Sequence, residues 1–120
     1  MTNYHAHIYF NLQDMDLAQL LFRKAFSKIS ILKPWKIYDR PVGPHPLPMF
    51  ELQFTEATKP EVLSWLTANI GTWSALIHQD TGDDVRDHTE GYSWLGPELR
   101  IDFTFFQVVQ KNPHLAIHQN

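Results

Sequence analysis

The sequence predicts an α+β domain with ferredoxin-like βαββαβ order, an antiparallel sheet, both helices on one face and extra strands at the C-terminal end. Three observations predict it. Strand-period segments open the chain and recur near residue 50. Two helix-period segments follow them at similar spacing. The chain is 120 residues long with 43% hydrophobic residues, which fits one domain (1–120) with a real core.

Residues 4–10, YHAHIYF, alternate in character. His5, His7 and Tyr9 share one face, and Ala6, Ile8 and Phe10 share the other, as in a half-buried strand. A helix is expected over 14–30. Asp14 is its N-cap, and Ala18, Phe22, Ala25 and Ile29 form its apolar stripe; Lys24 and Lys28 suit its C-terminal end. A short strand is expected at Trp35–Tyr38. The segment DRPVGPHPLP, residues 39–48, then carries four of the eight prolines. Each proline removes an N–H donor, so a stiff loop holding His45 in one place is expected.

Residues 49–54, MFELQF, alternate again, with Phe50, Leu52 and Phe54 facing opposite to Met49, Glu51 and Gln53. Thr58–Glu61 has capping-box spacing with Pro60 in the first turn, and the helix should end near Asn69 with Gly71 as its cap. Strands are expected at Trp73–His78, Tyr92–Leu95 and Leu99–Phe106, with a polar loop after His78.

Composition removes several classes of function. The absence of cysteine excludes disulfides, iron–sulfur clusters, Cys-ligated zinc and a thiol nucleophile. A net charge of −3 argues against a nucleic-acid binder. There is no secretory leader pattern and no membrane-length apolar run, so a cytoplasmic protein is expected. Phosphate-binding glycine loops and the G-x-S-x-G elbow are absent.

Seven histidines remain as the outstanding feature. In βαββαβ topology the first strand lies between the third and fourth, antiparallel to both. His5 and His7 should then approach His78 on a sheet face left open by the helices. Two histidines at i and i+2 on a strand point to one side and can share a metal, with His78 as the third ligand. Glu51 projects from the same face. The loop after His78 carries Asp80, Asp83, Asp84, Asp87 and His88. His114 and His118 have helical spacing but fall in a terminal segment, and no function is assigned to them.

The blocks HAHIYF, GPHPLPMFEL and LIHQDTGDDVRDHTEGYSWLG, in this order across residues 4–105, resemble the DOPA 4,5-dioxygenase family of small extradiol ring-cleaving enzymes. The resemblance implies a ferredoxin-like fold, homodimers, and opening of a catechol such as L-DOPA by O2. It matches His5, His7, His45, His78 and His88. The resemblance does not single out the ligands; strand geometry favours His5, His7 and His78, with Glu51 as a replacement ligand and His45 as another should the proline loop fold over the sheet. Iron(II) is the expected ion, with zinc or another divalent metal as the alternative. His45 and His88 are candidates for acid and base work, because imidazole titrates near neutral pH. Glu51, Arg86 and Tyr9 are candidate substrate-binding groups. Arg40 is a second candidate for a substrate carboxylate, and Trp73 and Trp94 for an aromatic pocket. A contrasting expectation is a non-catalytic ferredoxin-like dimer that holds a small aromatic ligand or a structural zinc.

Overall fold

A computed structural model describes residues 3–31, 34–83, 86–87 and 92–100. The elements run β1 (Asn3–Tyr9), α1 (Met15–Lys28), β2 (Pro34–Tyr38), β3 (Met49–Thr55), α2 (Lys59–Asn69), β4 (Ser74–Asp80) and β5 (Tyr92–Leu95). The five strands form one antiparallel sheet in the order β2-β3-β1-β4-β5. The first four have the ferredoxin-like arrangement the sequence predicts, and β5 extends the β4 edge. No helix among the described residues is long and apolar enough to cross a membrane.

The central strand β1 is buried on both faces. Ala6, Ile8 and Phe10 join Phe50, Leu52, Phe54, Ala75 and Ile77 in the core under the helices. From α1 come Ala18, Leu21 and Ala25, and from α2 Val62 and Leu66, all buried. Leu21 widens the predicted stripe, because a helix lying on a sheet buries a band broader than one i, i+4 row.

Both helix starts differ from expectation. Each helix is preceded by a single 3-10 turn, Leu12–Asp14 before α1 and Glu56–Thr58 before α2. Asp14 makes no capping bond. Its carboxylate instead accepts the indole N–H of Trp73 at 3.3 Å, tying α1 to the start of β4. The capping box forms one turn earlier than predicted, between Thr55 and Thr58. Gly71 follows α2 with φ +58°, the left-handed conformation expected of a helix-ending glycine.

The second sheet face is the main departure from the sequence expectation. It is covered rather than open. Tyr9, Met49 and Leu76 form a second apolar cluster, packed by Tyr38, Val42 and Leu47 from the proline-rich side and by Trp94 and Leu99 from the other. The loop folds back because Phe10 N–H donates to Pro48 O at 3.1 Å and His45 N–H to Val42 O at 3.0 Å. Leu99 and Arg100 are not in a strand. The rest of the predicted strand 99–106, His88, His114 and His118 lie outside the described residues.

Gly96 anchors the end of β5. Its φ is +73°, and a Cβ there would stand 2.5 Å from the Trp73 carbonyl oxygen. The Ser74 hydroxyl donates to Pro97 O beside it. Gly82 also has positive φ but open space around it. Gly96→Ala should therefore destabilise the chain by more than the roughly 1–3 kcal/mol expected of backbone strain alone. Gly82→Ala should show only the strain. Urea midpoints of the two variants check this, and equal losses would show that the approach to Trp73 costs nothing.

Candidate metal centre

The alternation of β1 and its two neighbours builds the site. His5 stands opposite Gln53 on β3 and His78 on β4, and His7 stands opposite Glu51 and Leu76. His5, His7, Glu51 and His78 therefore share the face away from the helices. All are buried, at 2%, 0%, 0% and 2% exposure. Such burial of four polar groups requires partners among themselves or a bound ion.

The partners fix most of the ring orientations. The Nδ1–H of His78 donates to the Gln79 carbonyl at 2.7 Å. A carbonyl only accepts, so Nδ1 carries the hydrogen and the lone pair of neutral His78 is on Nε2. Nδ1 of His7 lies 3.2 Å from Met49 Sδ and 3.4 Å from Glu51 Oε1. Both are acceptors, which places the hydrogen of His7 on Nδ1 as well. The Nε2 atoms of His7 and His78 then face each other at 2.7 Å. Two bare lone pairs repel at that separation, so the pair needs either a shared proton or a cation held by both nitrogens.

His5 completes the group. Its Nδ1 lies 3.4 Å from Glu51 Oε1 and its Nε2 3.2 Å from Asp80 Oδ2. Burial disfavours the imidazolium, but Glu51 and Asp80 on either side outweigh it and raise the pKa above its ordinary 6.5. One nitrogen each from His5, His7 and His78 gather within 4.8 Å of one another. Three buried imidazoles, one with its second nitrogen anchored on a backbone carbonyl, are a donor set suited to a divalent transition metal.

His45 reaches this group from the proline-rich loop. It is 2% exposed, its ring centroid is 4.3 Å from that of His7, and its Nδ1 shares a 2.6 Å hydrogen bond with the Tyr9 hydroxyl. Burial and then the Glu51 charge push the Tyr9 phenol well above its usual pKa, so it keeps its proton. Trp94 lies against Tyr9, with ring centroids 5.9 Å apart. The stiff loop thus presents its histidine inward, onto the sheet face that carries the other three.

The remaining sequence candidates lie elsewhere. Arg86 is exposed on the loop after β4, where its backbone N–H donates to Asp83. Arg40 is exposed and pairs with its neighbour Asp39 at 2.9 Å. Trp73 packs in the helix-side core against Phe10 and also lines a small cavity beside Tyr9. Asp87 is buried and accepts from both the N–H and the hydroxyl of Thr81, closing the loop. Sequence reasoning did not single out Met49 or Asp80. The signal for Asp80 was its i+2 relation to His78, which becomes visible once β4 extends to residue 80.

The sequence matches the Dopa 4,5-dioxygenase family over residues 4–105. It is 31% identical over 112 residues to an uncharacterized 21.2 kDa protein of Botryotinia fuckeliana, a match covering 84% of this chain and 61% of that protein. It is 28% identical over 110 residues to a DOPA 4,5-dioxygenase of Amanita muscaria, covering 85% of this chain and 48% of that one. The chain thus spans about half to three-fifths of the length of these curated relatives. A crystal structure from Nostoc punctiforme, described as that of a candidate dioxygenase, superposes with a TM-score of 0.81 at 29% identity, covering 91% of this chain and 94% of the other. With the match extending from β1 past β5 and including every histidine of the buried group, the chain belongs to the Dopa 4,5-dioxygenase family.

Proposed function

We propose that the chain is an extradiol ring-opening dioxygenase acting on a catechol such as L-DOPA, with iron(II) held by His5, His7 and His78. The supporting observation is the facing pair of His7 and His78. Both rings have Nδ1 engaged, and the Nε2 atoms meet at 2.7 Å beside a third buried imidazole. A divalent ion satisfies that arrangement, and the family supplies the reaction type. In such a reaction both atoms of O2 enter the product. The carbon–carbon bond flanking the diol breaks, giving an aldehyde and a carboxylate, and no external reductant is consumed.

The bound metal supplies a point where two catechol oxygens and O2 are gathered and developing negative charge is stabilised. The protein does the rest. His45, next to His7, takes a proton from a catechol hydroxyl and later returns one to a product oxygen. Tyr9 holds the His45 ring through Nδ1. The apolar cover of Val42, Leu47, Trp94 and Leu99 shields the site from water and offers flat surface to an aromatic ring.

A small cavity of about 210 Å³ adjoins this face at Tyr9, lined also by Leu47, Ser74 and Leu99. Its described lining carries no charged side chain. It suits the uncharged part of an aromatic substrate, and the charged end of an amino acid would have to lie toward the exposed rim.

Three experiments test the proposal. Anaerobically loaded with iron(II), the chain should bind one ion and, on admission of air, consume O2 and form a yellow product with L-DOPA or caffeate. No uptake across a catechol panel, with one tightly held zinc per chain, would replace this reading with the structural-zinc alternative. His7→Ala and His78→Ala should each lose the ion, measured by metal analysis after desalting. His45→Gln should retain the metal and lose about 10²–10⁴-fold in kcat, the usual contribution of a general acid–base group. Loss of metal in His45→Gln would instead make His45 a ligand.

A further inference from the structure

Glu51 is the most deeply buried acidic side chain at the site, and the proposed chemistry leaves it without a role. Its position is set by the register of β3, directly across from His7 and diagonal to His5. One oxygen, Oε1, stands 3.4 Å from Nδ1 of both histidines. The residue is 0% exposed, so it is not presented to a molecule arriving from solvent. The three side chains whose donor atoms gather within 4.8 Å are His5, His7 and His78, and Glu51 is not among them.

This geometry separates two roles. As a direct ligand, Glu51 would have to compete for the ion with the very nitrogens it faces. At His7 it stands on the ring position behind the nitrogen that faces His78, and at His5 it takes Nδ1 while Asp80 takes Nε2. An acceptor at Nδ1 keeps the hydrogen there, turns the lone pair of Nε2 away from the carboxylate, and makes that nitrogen a stronger donor. The His7 ring shows the result, with Nδ1 toward Glu51 and Nε2 toward His78.

Electrostatics point the same way. A carboxylate removed from water is costly unless positive charge lies close by. His5 and His7, each with Nδ1 3.4 Å from Glu51, can carry positive charge beside it, and a cation held by the histidine group would lie close enough to be balanced by the carboxylate. We propose that Glu51 is a positioning residue that orients His5 and His7 together through a single oxygen and charge-balances the metal they hold. The proposal rests on the metal centre described above.

The test is Glu51→Gln, which keeps the volume and an acceptor oxygen and removes the charge. Zinc(II) titration by calorimetry, with cobalt(II) as a spectroscopic probe, reads the effect. The variant should bind one ion with affinity lowered about 10–100-fold, the usual penalty for losing such a partner. The cobalt ligand-field bands should keep their wild-type positions, because the donor atoms are unchanged. The metal-free melting temperature should fall little, because Gln keeps the volume and an acceptor oxygen toward His5 and His7. Unchanged affinity overturns the proposal. Shifted cobalt bands make Glu51 a ligand and overturn it as well. A drop in the metal-free melting temperature that matches the loss of affinity makes the role structural. Glu51→Asp retains the charge one methylene further back and should give an intermediate affinity; a loss equal to that of Glu51→Gln would contradict charge balance. If wild-type chain binds neither zinc nor cobalt, the metal centre itself fails, a result distinct from any of these.

Discussion

The two-sided burial of β1 is the constraint on which the rest of the structure depends. The strand and the residue after it contribute Ala6, Ile8 and Phe10 to the helix-covered core, and the strand gives His5, His7 and Tyr9 to the opposite face. Hydrophobic burial on the first side fixes where the strand lies, and backbone pairing to β3 and β4 fixes its register. Polar groups on the second side are then forced into the interior whatever their preference for water. Hydrogen bonds to the Gln79 carbonyl, the Met49 sulfur and within the Tyr9–His45 pair hold part of the group, and the Glu51 charge lies 3.4 Å from two of its rings.

A site built on strands has mechanical consequences. His5, His7, Glu51 and His78 sit on three adjacent strands whose ladders allow little independent motion, so their separations are held by the same hydrogen bonds that make the sheet. His45 comes from a loop, but one whose backbone freedom is removed by Pro41, Pro44, Pro46 and Pro48. Rigid placement of donor atoms is what a metal site requires, and here it comes from regular secondary structure and proline.

Much of this was legible in the sequence. The alternation in 4–10 and 49–54 gave both faces of β1 and β3, and topology alone brought His78 beside His5. The cover over the histidines was legible only as an alternative, the proline loop folding over the sheet, against the expectation of an open face. Periodicity reports which residues share a face but not what folds over it, and the inward turn of the proline segment depends on long-range contacts such as Phe10 to Pro48. Asp14 looked like a cap because local chemistry favours one there, but a tertiary partner, Trp73, claimed its carboxylate. Among the acids after His78, only strand length distinguished Asp80 from its neighbours.

The pairing of β1 with both neighbours also limits how the protein can change over evolutionary time. A one-residue slip of that strand would send three polar rings into the helix-side core and three apolar side chains toward the histidines' place. Folding and chemistry would fail in the same event, so insertions inside β1 have no neutral route. Divergence of substrate preference within this architecture is therefore directed to the surrounding segments, above all the loop that carries His45 and the stretch beyond β4, while the central strand stays fixed.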